Sequence, residues 1–304
     1  MNKTEKILVV LALVFCLVPF GSSAFAQGYG AEAVVGAMYQ PSGWDTFEGS
    51  WLIGHQVMTS GGGYLGQISS FVIDDTNGRV ALVVLSRVPN LGGEKLAIPF
   101  CSLTRTGENT FEFNPGSMVI DVPSGLSSDP YEDAITRAPS YSDLYGLPSQ
   151  IDSDWVAYIY RHYGQEPYWT EKGEHAMKAF DLYENARFMG AEVRTARGEE
   201  VANVNDFVID SSDGHIAFVV LSDVAGRGDT LVAVPFCALS RSGESVFVLN
   251  TTGEQLASAP SFNRFADLSN LRYAENVYRY FGLQPYWTEG GGAAGQTMGQ
   301  PMEE

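Results

Sequence analysis

The sequence predicts a mostly β protein with accessory helices: two small β-barrels, each followed by a helix and a Pro-Tyr-Trp segment. Three observations carry that prediction. Residues 45–114 align with 181–250 at a constant offset of 136, without a gap, and 28 of the 70 positions are identical. Within each copy the apolar residues alternate with period two, the period of a strand. A second block, residues 160–171, recurs as 278–289 at an offset of 118, because the first unit carries an insertion between Asn114 and Tyr160. Chance does not hold register over such lengths, so the chain reads as a duplication.

The first 26 residues read as an export signal. Lys3 and Lys6 precede a mostly apolar run over 7–20, and Ala24-Phe25-Ala26 places small residues where a signal peptidase reads, which puts cleavage before Gln27. The run is shorter than the roughly 20 residues a spanning helix needs; a retained anchor is the alternative. Phe15 before Cys16 does not fit a lipoprotein signal. No later stretch is long and apolar enough to span a bilayer, so the mature chain reads as soluble, in the periplasm or outside the cell.

The chain has 18 basic and 36 acidic residues; without Lys3, Glu5 and Lys6 these become 16 and 35, a net charge near −19. That sign excludes a nucleic-acid partner, since phosphate binding rests on clustered Lys and Arg, and it argues against an anionic membrane surface. Solubility is the plain reading of the charge. An acidic face for a basic partner or divalent cations is the other.

The elements follow in order. Residues 27–44 are small and glycine-bearing, a flexible segment. Gly54 and Gly62 bracket a short strand near Gln56–Thr59. Residues 68–74 and 79–88 pair antiparallel around Asn77-Gly78, with Asp213-Gly214 at the equivalent turn, because both dipeptides tolerate the positive φ of a tight hairpin. In 79–88 both strand faces are apolar, as for a strand covered on two sides. Residues 96–100 and 110–114 are further strands around the polar turn 104–108. Five or six such strands fit a closed or partly closed barrel, which leaves few exposed edges.

After each barrel, residues 152–163 and 268–281 read as helices. Gly164 and Gly282 are left-handed caps, and Pro167 and Pro285 prevent continuation. Trp155, Ile159, His162 and Tyr163 lie near one stripe. Inside the insertion, Asp129-Pro130-Tyr131-Glu132 is a helix start. The organisation is thus 45–171 for the first barrel with its insertion and helix, 172–179 for a charged linker, 180–289 for the second barrel and helix, and 290–304 for a disordered tail.

At this point the residues carry a resemblance. G-x-x-V, a polar turn, Phe71-Val72-Ile73-Asp74, Val83-Val84-Leu85-Ser86 and the closing Pro99-Phe100 recur as Phe207-Val208-Ile209-Asp210, Val219-Val220-Leu221-Ser222 and Pro235-Phe236. The pattern resembles the PRC-barrel family, over residues 54–103 and 190–239, about a third of the chain. The family's fold is a small β-barrel, known from the photosynthetic reaction-centre H subunit and from a ribosome-maturation factor. The resemblance implies an adaptor that docks on a larger assembly. Pro99-Phe100-Cys101 and Pro235-Phe236-Cys237 stand where a tryptophan often follows the proline, and export separates this chain from ribosomes.

Candidate functional residues are few. Tyr168-Trp169 and Tyr286-Trp287 are flat aromatic pairs with a polar edge, suited to gripping a partner or stacking on a sugar; the alternative is that each pair seals its helix against its own barrel. The equivalent cysteines Cys101 and Cys237 are expected to be buried free thiols, a bridge between repeats being the alternative. As a nucleophile Cys101 lacks a nearby base in sequence. Asp74 to Gly78 is no calcium loop: its glycine comes four residues after the aspartate, where an EF-hand requires five, and the distal glutamate is missing. His55, His162, His175 and His215 show no metal-ligand spacing and are expected at surface or helix positions. No G-x-S-x-G elbow, phosphate loop or H-E-x-x-H motif is present. No metal or cofactor site is therefore expected. The chain reads as a non-enzymatic exported protein that binds another protein or an envelope component through two linked modules. A small-molecule or carbohydrate binder using the aromatic pairs, and an enzyme with an inter-domain site, are the alternatives.

Overall fold

The computed structural model describes residues 44–116, 135, 137–139, 141, 151–170 and 181–288. The signal, the segment before Trp44, the helix start at Asp129, the linker with His175, and the tail lie outside the described residues.

Each repeat builds a six-stranded sheet of the same order. In the first, β2 (Gln56–Thr59), β3 (Tyr64–Asp74), β4 (Arg79–Ser86), β5 (Leu96–Pro99), β6 (Leu103–Arg105) and β7 (Thr110–Phe113) run β5-β4-β3-β2-β7-β6. In the second, β9 (Glu192–Thr195), β10 (Glu200–Asp210), β11 (Ile216–Ser222), β12 (Val232–Pro235), β13 (Leu239–Gly243) and β14 (Val246–Leu249) run β12-β11-β10-β9-β14-β13. All neighbours are antiparallel except β2 with β7 and β9 with β14. The sheets curl without closing. The bend comes from bulges: β3 slips register between Ile68 and Ser70 and between Val72 and Ile73, and β10 does so at the equivalent places.

The hairpin turns form where the sequence put them, with Gly78 at φ +63 and Gly214 at φ +79. Val80 to Leu85 are all buried, because β4 faces the barrel interior on one side and a helix on the other. That helix, Ser153–His162, starts at Asp152, whose side chain accepts the N–H of Asp154 at 2.8 Å. It buries Val156, Ile159 and Tyr160, each contributing about 1.5–3 kcal/mol of apolar transfer. Tyr160 also donates its hydroxyl to the Ala81 carbonyl at 2.9 Å, and Tyr278 does the same to Ala217 at 3.0 Å. The second trailing segment is not one helix over 268–281. It is Phe265–Leu268 followed by Leu271–Tyr280, because the Asn270 side chain accepts the N–H groups of Arg272 and Tyr273 and starts a new helix.

The seventh strand of each sheet comes from the other repeat. β1 (Thr46–Glu48) pairs antiparallel with β10, Thr46 opposite Asp210 and Glu48 opposite Val208. β8 (Leu182–Glu184) pairs with β3, Leu182 opposite Asp74 and Glu184 opposite Val72. The exchange is reciprocal and obeys the same 136-residue offset as the repeat. A pseudo-two-fold axis therefore relates the repeats, and Arg79 meets its own equivalent, His215, across it in an isolated bridge. There the backbones exchange two bonds, Val80 N–H to Gly214 C=O and Ile216 N–H to Gly78 C=O, both 2.8 Å. Phe71 and Phe207, another equivalent pair, lie edge to face at 6.3 Å. One hydrophobic core runs through both repeats.

The cysteines correct an expectation. Both are free, but both are exposed. After β5 the chain turns into a 3-10 turn over Phe100–Ser102 that puts Phe100 and Ser102 in the buried positions. Phe100 reaches across the axis, where a Cβ on Gly214 would stand 2.8 Å from its ring; Phe236 and Gly78 repeat the contact. Phenylalanine thus takes the buried slot beside the cysteine.

Candidate interaction site

Pro167 and Pro285 are buried and turn the chain back onto its barrel, leaving the four candidate aromatics half-buried. Tyr168 donates its hydroxyl to Asp74 at 2.5 Å, and Tyr286 donates to Asp210 at 2.8 Å. These aspartates end β3 and β10, at the last position of the repeated Phe-Val-Ile-Asp. Asp74 also accepts from the N–H groups of Thr76 and Asn77 and from the Asn77 side chain at 2.7 Å. Asp210 accepts instead from the Ser212 N–H and hydroxyl and from Trp44 Nε1 at 3.0 Å. The aspartate is both a turn cap and the seat of the tyrosine, so the F-V-I-D signature and the Pro-Tyr-Trp signature form one latch.

Burial governs the electrostatics of the latch. It holds the Asp74 carboxyl above the ordinary carboxylate range, although four donors pull the other way. Burial first, and then the charge of Asp74, push the Tyr168 phenol far up; Tyr286 is raised by burial and by Asp210 in the same way. A phenol that never ionises near neutral pH is a hydrogen-bond donor, not a general base.

The tryptophans lie beside these anchors. Trp169 stands edge to face on Tyr160 at 5.3 Å, and Trp287 on Tyr278 at 5.0 Å. Trp44 covers Trp287 at 4.7 Å. Sequence reasoning missed Trp44 in this role. It aligns with Phe180, which lies outside the described residues.

Between the two latches sits a charged cluster on the pseudo-two-fold axis. Arg79 Nε donates to His215 Nε2 at 3.0 Å, and Asp213 lies 3.5 Å from Arg79 Nη2 and 2.6 Å from His215 Nδ1. The Arg79 guanidinium lies 5.1 Å over the Tyr168 ring, and the His215 ring stacks on Tyr286 at 4.2 Å. Bonds to His215 and Arg79 hold the Asp213 carboxyl below its ordinary range against the opposing effect of its burial.

His55 departs from its expected surface place. It is buried against Trp51, with ring centroids 3.9 Å apart, and neither ring nitrogen has a hydrogen-bond partner among the described residues. The other equivalent position, Ala191, gave no hint, since the two copies differ there. Among the described residues no cluster of three or more His, Cys, Asp or Glu side chains is placed to hold a metal. Protein around the two thiols pushes Cys101 and Cys237 up to about 11, the opposite of an activated nucleophile. No helix among the described residues is long and apolar enough to cross a membrane.

The PRC-barrel domain model matches residues 45–125 and again 180–256, together just over half of the chain. The chain belongs to the PRC-barrel family. It carries the domain twice, as a tandem duplication, and the matches contain both exchanged strands and both latch aspartates. No curated protein matches the chain.

Proposed function

We infer that this tandem PRC-barrel protein is a non-enzymatic adaptor that is exported and holds a protein partner in the cell envelope. Family membership supports the adaptor role, the basic-then-apolar start supports export, and the net charge of −18 fits a partner with a basic face. The observation that carries the reading is the commitment of both tyrosine hydroxyls to Asp74 and Asp210, with Trp44 laid over Trp287. The tyrosine hydroxyls that a sugar would use are turned to internal bonding, which favours a protein partner over a carbohydrate. Tyr168, Trp169, Tyr286 and Trp287 act in this reading by fixing the helices that frame the partner surface.

The test is affinity capture from an envelope extract by the mature chain, repeated with Trp169→Ala and Trp287→Ala and paired with a glycan array. The reading expects a saturable protein partner and a blank array. Glycan binding that both substitutions abolish would transfer the function to the aromatic pairs and to carbohydrate.

A further inference from the structure

The exchanged strands make each repeat the other's binding partner, and the residues on the pseudo-two-fold axis differ between repeats in a way that fixes which pairings are allowed. We propose that Arg79, His215, Asp213, Gly49 and Asp206 form a pairing code that joins the first repeat to the second and rejects the pairing of either repeat with its own kind in a second chain.

The donated segments are alike. Asp45-Thr46-Phe47-Glu48 and Asp181-Leu182-Tyr183-Glu184 share the pattern Asp-x-aromatic-Glu. Their backbones dock identically, with Ser211 N–H on Asp45 C=O and Asp75 N–H on Asp181 C=O, both 2.9 Å. Backbone pairing alone therefore offers no choice between the two donors. The choice lies in side chains that sit on or beside the axis, where each residue faces its own equivalent.

Consider first repeat against first repeat. The axis would bring two Arg79 side chains together in place of Arg79 and His215, whose nitrogens are 3.0 Å apart. The carboxylate that now touches both groups, Asp213, is Asn77 in the first repeat, so nothing would neutralise the pair. Like charges set at that distance oppose association. His215 avoids the conflict because its Nε2 accepts the arginine proton while Nδ1 faces Asp213.

Consider next second against second. Asp206 would then face Asn185 where it now faces Gly49. A Cβ at Gly49 would stand 3.1 Å from Asp206 Oδ1 and 3.3 Å from Phe207 Cβ, tighter than ordinary contact. Asp206 would also lose the bond it accepts from the Ser50 hydroxyl, because Ser50 aligns with Ala186, which keeps a backbone N–H but has no hydroxyl. It is 4% exposed, so a lost donor leaves a buried carboxylate short of partners. In the first repeat the Asp206 position is Ser70, which instead donates to Glu184 at 3.3 Å. Each homotypic pairing thus meets its own obstacle, and the heterotypic pairing meets neither. With both copies in one chain, the code closes the molecule on itself.

The experiment uses the full mature chain with a protease site flanked by Gly-Ser inserted in the connecting residues 172–179. After cleavage, native mass spectrometry and dilution by sedimentation measure whether the two fragments stay together. The expected result is one particle containing one copy of each fragment. His215→Arg should weaken the association about ten-fold by setting two facing arginines against the single carboxylate of Asp213, and Arg79→His added to it should recover most of the loss. Arg79→His alone leaves a histidine on each side of Asp213 and should cost less than His215→Arg. Fragments that separate freely overturn the proposal. So does a particle containing two copies of one fragment, an association that His215→Arg leaves unchanged, or a double variant no tighter than His215→Arg alone.

Discussion

The two repeats use the same latch and support it differently. In the first, Asp74 takes the side chain of Asn77 from its own turn; in the second, Asp210 takes the Ser212 hydroxyl from its own turn and adds Trp44, which enters ahead of the exchanged strand β1. The second latch is therefore tied to the arrival of the other repeat's arm, while the donors described at the first are local or from its own trailing segment. The arginines differ in the same spirit. Arg241 bonds Asp75 across the repeats at 2.8 Å and lies 3.9 Å over Tyr183, whereas its equivalent Arg105 meets Asp45 at 3.6 Å and lies over Trp51 at 4.5 Å. What stays constant between copies is what folds a barrel. What varies is how the copies hold one another.

The largest test of this contrast is removal of the two arginines. Arg241 and Asp75 are 10% and 11% exposed at their side chains, and burial lifts the Asp75 carboxyl above its ordinary range. Arg241→Ala strands that carboxylate and should cost about 3–5 kcal/mol in urea unfolding. Arg105→Ala, at a longer and less direct pair, should cost about half as much. Equal losses would erase the distinction.

The turn glycines come next. Gly214→Ala forces a positive φ and drives a methyl to within 2.8 Å of the Phe100 ring and 3.1 Å of the Val80 carbonyl. Gly78→Ala meets the Phe236 ring first, at 2.8 Å. We expect losses of about 2–4 kcal/mol for Gly214→Ala and somewhat less for Gly78→Ala, since a ring can shift more easily than a backbone oxygen. The reverse order would show that the crossing at the axis is looser than the geometry states.

A smaller effect separates the latches. Tyr168→Phe removes a donor from a buried carboxyl and should cost about 1–3 kcal/mol, whereas Tyr286→Phe leaves Trp44 bonded to Asp210 and should cost about 1 kcal/mol. Adding Trp44→Phe to Tyr286→Phe should widen the loss beyond that of Tyr168→Phe; a strictly additive small effect would uncouple Trp44 from the latch. The smallest effect concerns the thiols, which differ little between copies. Because surrounding protein partly desolvates both thiols and raises them to about 11, although the residues reach the surface, alkylation rates should keep climbing past pH 9 in both, and a plateau below about pH 10 at either would contradict it.

Much of this fold was legible because its signals are local. Two-residue periodicity gave the strands, Asn77-Gly78 and Asp213-Gly214 gave the hairpins, and Gly164 with Pro167 gave the helix stop. The exchange was not legible. β1 and β8 are three residues each, too short to show a period, and a strand has the same pattern whichever copy of an identical edge it joins. The second helix broke at Asn270 because a capping residue inside an amphipathic run reads equally well as a solvent-facing position. Cys101 was misplaced for a related reason: the apolar run ends in a 3-10 turn, where burial no longer alternates. Of the site, the tyrosines and tryptophans stood out as aromatic pairs, but their anchor did not. Asp74 and Asp210 looked like turn residues, and only the fold shows that the turn doubles as the tyrosine's seat.

The exchange of strands is the claim on which the rest depends, and cross-linking measures it directly. In a chain lacking Cys101 and Cys237, Glu48→Cys paired with Val208→Cys joins positions opposite one another in the β1–β10 ladder. That variant should oxidise within a single chain to a monomer, with the bond mapped between the two substituted positions. Glu48→Cys paired with Val72→Cys tests the unexchanged arrangement, because Val72 is the equivalent of Val208 in the repeat that β1 precedes, and should remain reduced. Efficient bonding to position 72 with none to position 208 would mean that each strand stays with its own barrel, and the two-fold account would fail.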